Sequence, residues 1–308
     1  MTPRRLFLCL ALGLASGLPA TATAQARETL GWGRILNNDF LGDGKDRWRS
    51  SSYGVSLVRG PDWDGGLPAR PGEILEYRVR GEIVAPRALT GPERKDRAFA
   101  GTLGVGLHTH WAMGRTELSA GLDLVATGPQ TGWAEAQDWF HDVVNEPRPS
   151  DFVVENQVAD ALYPTATAEL GYPVKLTPGL AARPFVETQY GIADLLRVGV
   201  DFRLGTLGDA ALDLRDPTTG QRYRAIAQDG FGWEWVAGAD YALLGDSAFF
   251  PDSFGTHARD TRWRARLGTH WQGARDVTFF YGATYLSEEY VGQPEGQVVG
   301  SIKLNLNF

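Results

Sequence analysis

The chain has 308 residues, among them 38 Gly, 10 Trp, 2 Met and a single Cys, with aromatics at 11% and a net charge of −7; its mean hydropathy is −0.24. A negative balance excludes a surface that tracks nucleic-acid phosphates, which needs an excess of Lys and Arg, and so polar an average excludes a helical membrane protein. Two classes survive: a soluble β-rich domain, or a β-barrel whose alternating apolar and polar residues average to a polar composition.

Residues 1–26 read as a cleaved secretory signal. Arg4 and Arg5 form a positive start, Leu6 to Leu18 an apolar run too short to span a bilayer, and Ala22-Thr23-Ala24 or Ala24-Gln25-Ala26 a small-residue cleavage site. The single cysteine, Cys9, lies in this segment. The expected mature protein, 27–308, is one domain without thiol chemistry, a disulfide or Cys-ligated zinc.

From there the chain alternates. Strands are predicted at 29–39, 51–60, 73–84, 98–111, 115–127, 163–172, 181–191, 195–206, 231–244, 261–272, 275–287 and 296–308. Each is roughly 10–13 residues, the length with which a tilted strand crosses lipid. Strand one closes on Asn37-Asn38-Asp39, and Asp46-Arg47-Trp48-Arg49-Ser50 opens strand two. Ser50 shares parity with Ser52 and Ser56, opposite Tyr53, Val55 and Leu57. Arg94-Lys95-Asp96-Arg97 opens strand four, and in 116–125 Leu118, Ala120, Leu122 and Leu124 oppose Glu117, Ser119 and Asp123.

The segment 128–162 breaks this rhythm. After Gly128-Pro129, Trp133–Val144 has helical periodicity and carries His141; Asp151–Leu162 can hold a second helix. Structured excursions of this length tend to be functional. The stretch 207–230 is long for a turn on the periplasmic side and has room for a further strand-like piece.

The last strands carry the membrane signature. In 261–271 Trp263, Ala265, Leu267, Thr269 and Trp271 oppose Arg262, Arg264, Arg266 and His270. Aromatics recur near strand ends, as expected of girdles at two lipid–water interfaces. In the closing strand Ile302, Leu304, Leu306 and the terminal Phe308 point one way. The even strand total puts both ends on the periplasmic side. The expected fold is all-β: a twelve-stranded antiparallel transmembrane β-barrel with short helices in an extracellular loop.

With that parity, the polar clusters at 37–39, 46–50, 94–97 and 128–162 converge on the outer rim. Each residue has a plain reading: a lone His is most often structural, and Asn-Asp favours strand ends. The run Asp43-Gly44-Lys45-Asp46 lacks EF-hand spacing, and Gly245-Asp246-Ser247 lacks the strand–helix context of an esterase nucleophile.

The run Asn38-Asp39…Gly42-Asp43-Gly44-Lys45-Asp46-Arg47-Trp48-Arg49-Ser50 resembles the first motif of the outer-membrane lipid A 3′-O-deacylase family (LpxR-like). Asp96-Arg97-Ala98-Phe99-Ala100-Gly101, Gly128-Pro129 with Gln137-x-x-x-His141, and Asn156-Gln157-Val158 follow in the same order along the chain. The resemblance implies a calcium-binding twelve-stranded barrel of the bacterial outer membrane that hydrolyses the ester-linked 3′ acyl chains of lipid A. It makes His141 the catalytic histidine, matches Asn38 and Asp39 to the family's Asn-Asp pair, and sets Ser50 where a Thr is usual. Glu146 matches a family Glu, so Asp39 and Glu146 are the expected calcium ligands. Arg87 is the nearest counterpart of the family's active-site Lys.

The chemistry is coherent with that assignment. His141 can deprotonate water at neutral pH, a hard cation on carboxylate oxygens can stabilise the oxyanion, Asn38 can donate to it, and Ser50 can position the water. Arg47, Arg49 and Arg97, with Arg94 and Lys95, suit lipopolysaccharide phosphates. Two other readings stand: an inactive pore-like or structural barrel, or a phospholipase with Ser50 as nucleophile. No oligomer and no nucleic-acid partner is implied.

Overall fold

The fold comes from a computed structural model that describes residues 27–91, 96–228, 230–273 and 277–306. The signal segment with Cys9, and Arg94, Lys95 and Phe308, lie outside the described residues. The strands are β1 (Glu28–Asn38), β2 (Trp48–Gly60), β3 (Ile74–Ala85), β4 (Ala100–Met113), β5 (Thr116–Thr127), β6 (Ala161–Gly171), β7 (Val174–Thr177), β8 (Leu180–Tyr190), β9 (Ala193–Leu204), β10 (Leu212–Arg215), β11 (Arg222–Ile226), β12 (Gly232–Ser247), β13 (Thr261–Gln272), β14 (Val277–Leu286) and β15 (Gln297–Leu306). Helices α1 (Trp133–Val144) and α2 (Asp151–Glu155) lie between β5 and β6.

Neighbouring strands pair antiparallel in the order β6-β5-β4-β3-β2-β1-β15-β14-β13-β12-β9-β8, and β6 pairs with β8 to close a twelve-stranded barrel. Closure removes most of the free edge that a sheet in lipid cannot keep, and the β1–β15 seam is the barrel's shortest ladder, paired through Leu36–Ile302, Asn37–Ser301 and Asn38–Gly300. The short β7 extends β8 as a hairpin at the periplasmic end.

The alternation read from the sequence is the alternation of lumen and lipid. In β13 Arg264, Arg266 and His270 are buried in the lumen while Trp263 and Leu267 are exposed on the outer wall. Trp233 and Trp271 touch at the periplasmic end, and Trp263 and Tyr285 lie 4.9 Å apart near the outer end, one pair in each girdle.

The segment 207–230 is neither an ordinary turn nor a wall strand. It folds up into the lumen as the separate hairpin β10–β11. Leu212, Leu214, Tyr223, Ala225 and Ile226 pack on luminal Ile35, Val58, Ile74 and Phe280, an apolar patch in an otherwise charged interior. Burial of each such side chain stabilises by about 1.5–3 kcal/mol. Close approach needs glycine in β1: a Cβ at Gly31 would lie 2.1 Å from the Ala225 carbonyl oxygen. At the outer mouth Phe249, Phe250 and Phe254 pack with Ile192, Val84 and Val158 as an apolar lid. Beside the hairpin a luminal cavity of about 460 Å³ remains, lined by a mixture of charged and apolar side chains from the periplasmic turns up to Phe249.

Candidate functional site

The site begins at the outer end of β1, where the chain turns back on itself. The Asp39 carbonyl accepts the amides of Gly42 and Asp43, while its carboxylate Oδ2 accepts the Arg47 amide (2.7 Å) and the Gln297 side-chain amide (3.2 Å). Gln297 also donates to the Arg47 carbonyl, so the first residue of β15 holds the loop in place. Trp48 follows with a left-handed backbone (φ 52) and a fully buried ring, and a bulge in the β2–β3 register follows between Trp48 and Ser51. This strained corner presents Asp46 and Ser50 together, and the Ser50 hydroxyl donates to Asp46 Oδ1.

Helix α1 brings the histidine. Gly132 precedes it in a left-handed conformation, and the Trp133 indole donates to the Thr102 carbonyl (2.7 Å). The Trp133 ring lies over Gly81 and Gly101, where any Cβ would collide with it. Both glycines have the parity of exposed Val79 and Leu103, so the helix is mounted on the outside wall of the barrel, not over its mouth. Ala134 and Val153 of the two helices complete an apolar cluster with Ile83, Ala85, Leu89 and Phe99.

Ala134, Gln137 and His141 form the buried flank of α1. His141 Nδ1 lies 2.6 Å from the Pro147 carbonyl, to which it donates, and Nε2 lies 2.9 Å from Asp46 Oδ2. Asp46 therefore joins Ser50 on one oxygen and His141 on the other, with the Gln137 amide nearby at 3.5 Å.

The remaining acids of this corner are under-partnered. Among the described residues the buried carboxylate oxygens without a hydrogen-bond partner are Asp39 Oδ1 and Asp43 Oδ1; Gln137 Oε1, whose side chain reaches Asp46, also has none. Burial pushes the Asp39 carboxyl up to about 8 against the pull of the Arg47 amide, and the neighbouring Asp46 and Asp43 add to the rise. An acid this poorly compensated favours a proton or an outside cation. The donors suit a hard cation, which takes carboxylate, amide, carbonyl and water oxygens. Among the described residues no group of three or more His, Cys, Asp and Glu side chains is arranged for a metal, so amide, carbonyl or water oxygens would complete the shell.

The other expected residues divide. Asn38 is half-buried; its Oδ1 accepts the Phe40 amide (2.9 Å), so Nδ2 is the side chain's donor. Glu146 is exposed and takes part through its backbone amide, which donates to the His141 carbonyl (2.9 Å), so its carboxylate is not brought to Asp39. Arg87 is exposed, its amide donating to Asp96. Arg47 and Arg97 are both buried. Arg47 pairs with Asp43 (3.2 Å) and Glu295 (2.6 Å) and stacks on Trp48; Arg97 pairs with Glu289 and stacks on Phe250. Burial against these acids ties both guanidinia into the frame of the rim.

Asp46, Gln297 and Glu289 are the functional-region residues that sequence reasoning did not assign. Asp46 had a local signal, four residues before Ser50 in the same motif. Gln297 and Glu289 had none, since most of their partners lie far away along the chain. Glu289 meets Arg49 through two close contacts (2.8 and 2.9 Å), and Arg97 and Arg262 besides. Burial works against its ionisation, but the three guanidinia hold its carboxyl well below the ordinary range.

The sequence model of the family described as outer membrane protein LpxR matches residues 6–308. No curated protein sequence matches the chain. LpxR from Salmonella typhimurium aligns in structure with a TM-score of 0.75 at 17% identity, over 92% of this chain and 100% of that one. The β domain of the Bordetella autotransporter BrkA aligns over 90% of this chain and 99% of that one, with 13% identity and a TM-score of 0.47. A KdgM porin solved with disordered oligogalacturonate aligns over 92% and 99%, with 6% identity and a TM-score of 0.41.

Proposed function

The chain belongs to the LpxR family of outer membrane proteins, and from that premise we propose that it is a calcium-dependent lipid A 3′-O-deacylase with His141 as general base. The observation that carries this reading is the Ser50–Asp46–His141 chain on the outer wall, set beside the orphan oxygens of Asp39 and Asp43.

His141 is held for the task. Nδ1 is committed to the Pro147 carbonyl, so Nε2 is the nitrogen that can exchange a proton, and it serves as base when a water takes the place of Asp46 Oδ2 beside it. A water on Nε2 loses its proton to the imidazole and attacks the ester carbonyl, and Asp46 stabilises the imidazolium that forms. The tetrahedral intermediate then breaks its bond to the 3′ oxygen, which takes the proton back from His141. The products are a fatty acid and the 3′ hydroxyl of lipid A.

Asn38 Nδ2 is a donor for the oxyanion, and Ser50, through Asp46, orders the water. Calcium, when bound, would supply positive charge for the same oxyanion, held by Asp39 and Asp43 rather than Glu146. Exposed Arg87 remains for a substrate phosphate.

Two observations weigh against the other readings. Ser50 bonds the Asp46 carboxylate, not the imidazole, which disfavours a serine nucleophile activated by His141. The luminal hairpin and the Phe249 lid obstruct the barrel, which disfavours a pore. The test is mass spectrometry of lipid A from a host without the activity that expresses this protein, with and without chelator. Loss of mass equal to the 3′ acyl substituent, absent with chelator and with His141→Ala, is expected. An unaltered spectrum from correctly inserted wild-type protein would overturn the assignment.

A further inference from the structure

Helix α1 has three flanks, not two. One is buried on the barrel and carries Ala134, Gln137 and His141. A second carries the acids Glu135, Asp138 and Asp142, with Arg148 bridging the last two. The third runs through Ala136, Trp139, Phe140, Val143 and Val144, the i, i+3, i+4, i+7, i+8 spacing of one continuous stripe. That stripe is exposed, with Trp139 at 66%, Phe140 at 54% and Val143 at 63%. So large an apolar patch marks an interaction surface.

Its position names the occupant. Trp133 seats the start of α1 on Gly81 and Gly101 of the lipid-facing wall. In the neighbouring row Gly81 pairs with Leu103, Leu103 with Ala126, and Ala126 with Leu162; Leu103 and Leu162 are exposed to lipid. The start of α1 is therefore seated among lipid-facing residues of the wall, with its apolar stripe and its acids on separate flanks.

We propose that α1 lies in the plane of the outer leaflet, with the Trp139–Phe140–Val143 stripe among the acyl chains and the Glu135–Asp142 flank in the headgroup water. Seated so, the flank that bears His141 stands at the height of ester-linked chains. The inference rests on outer-membrane placement, and its readout does not depend on deacylase activity.

Residues 27–308 contain no cysteine, so an introduced one reports alone. Trp139→Cys, Val143→Cys and Asp142→Cys, with Leu103→Cys as the lipid-wall control, are spin-labelled one at a time. Each is refolded into phosphatidylcholine–phosphatidylglycerol vesicles, and folding is checked by heat-modifiable mobility. Labels at 139 and 143 should match the Leu103 control, relaxed several-fold more by oxygen than by a water-soluble nickel chelate; the label at 142 should show the reverse. Preferential relaxation by the chelate at 139 and 143, in a barrel whose Leu103 label reports lipid, would overturn the proposal.

Discussion

The lumen and the outer rim are both crowded with charge, but they treat it differently. In the lumen carboxylates meet guanidinia: Glu169 with Arg183 (2.7 Å) and Arg215, Asp201 with Arg215 (2.7 Å), Glu187 with Arg197 (2.6 Å), Asp240 with Arg264 (3.0 Å). At the rim, Asp39 and Asp43 each keep a buried oxygen without a donor. Buried charge is tolerated when paired and costly when not. The luminal carboxylates are therefore satisfied by the chain's own arginines, whereas the rim acids imply a partner that the chain does not itself provide. Glu289 sharpens the contrast: it sits at the rim yet is clamped by three arginines, and so behaves as lumen.

The largest effect expected from this contrast is on rate. Asp46→Asn keeps the shape but removes the charge beside His141, and should slow deacylation by about 10²–10⁴, the range for a disabled general base. Asn38→Asp keeps the acceptor for the Phe40 amide and removes the Nδ2 donor, so a loss of about 10²–10³ is expected, as for one oxyanion donor. Both are read by initial rates on detergent-dispersed lipid A, with unchanged heat-modifiable mobility. Full activity in either variant would show that the unpaired corner is not the reacting centre.

Next in size is the clamp. Glu289→Gln leaves Arg49, Arg97 and Arg262 without their shared counter-charge, and should cost about 3–5 kcal/mol of stability. The sign of its pH dependence follows from the depressed carboxyl. Its folded value lies below the unfolded value of about 4.3, so its stabilisation is complete above that value. It is lost as pH falls toward the folded value. Thermal unfolding from pH 7 to pH 3 should show a steep acid limb in the wild type and a shallower one in Glu289→Gln. Identical limbs would remove Glu289 from the scaffold.

Leu214→Ala tests the lumen side. The residue is buried between hairpin and wall, so the change should cost about 2–5 kcal/mol by cavity formation while the rate on lipid A stays near wild type. A matching fall in rate would mean that the hairpin and the rim are energetically one unit.

How much of this the sequence carried depends on the range of the contact. Wall strands were legible because alternation is local: Trp263 and Arg264 declare their faces within two residues. That His141, Asp39 and Ser50 share one corner was legible through motifs that keep their order. The ion pairs of Arg47 and Arg97 were not, because a rim arginine reads as free until its acid is known. Those acids, Glu295 and Glu289, lie 248 and 192 residues further along. The hairpin was half legible, since its apolar residues show but the glycine-lined β1 wall that receives them emerges only on closure.

The smallest expected effect decides what the orphan oxygens are for. If Asp39 awaits a cation, ligand linkage makes stability rise with calcium, by about 2.7 kcal/mol at one hundred times the dissociation constant. Asp39→Asn should lose most of that rise. In chelator the same variant should be at least as stable as wild type, because it removes a buried carboxylate that Asp43 and Asp46 oppose. Glu146→Gln, on an exposed side chain, should keep the calcium response. Unfolding followed at fixed pH with calcium or chelator separates the cases. A calcium response that survives Asp39→Asn but disappears in Glu146→Gln would move the cation to the helix end, and the rim acids would need another account.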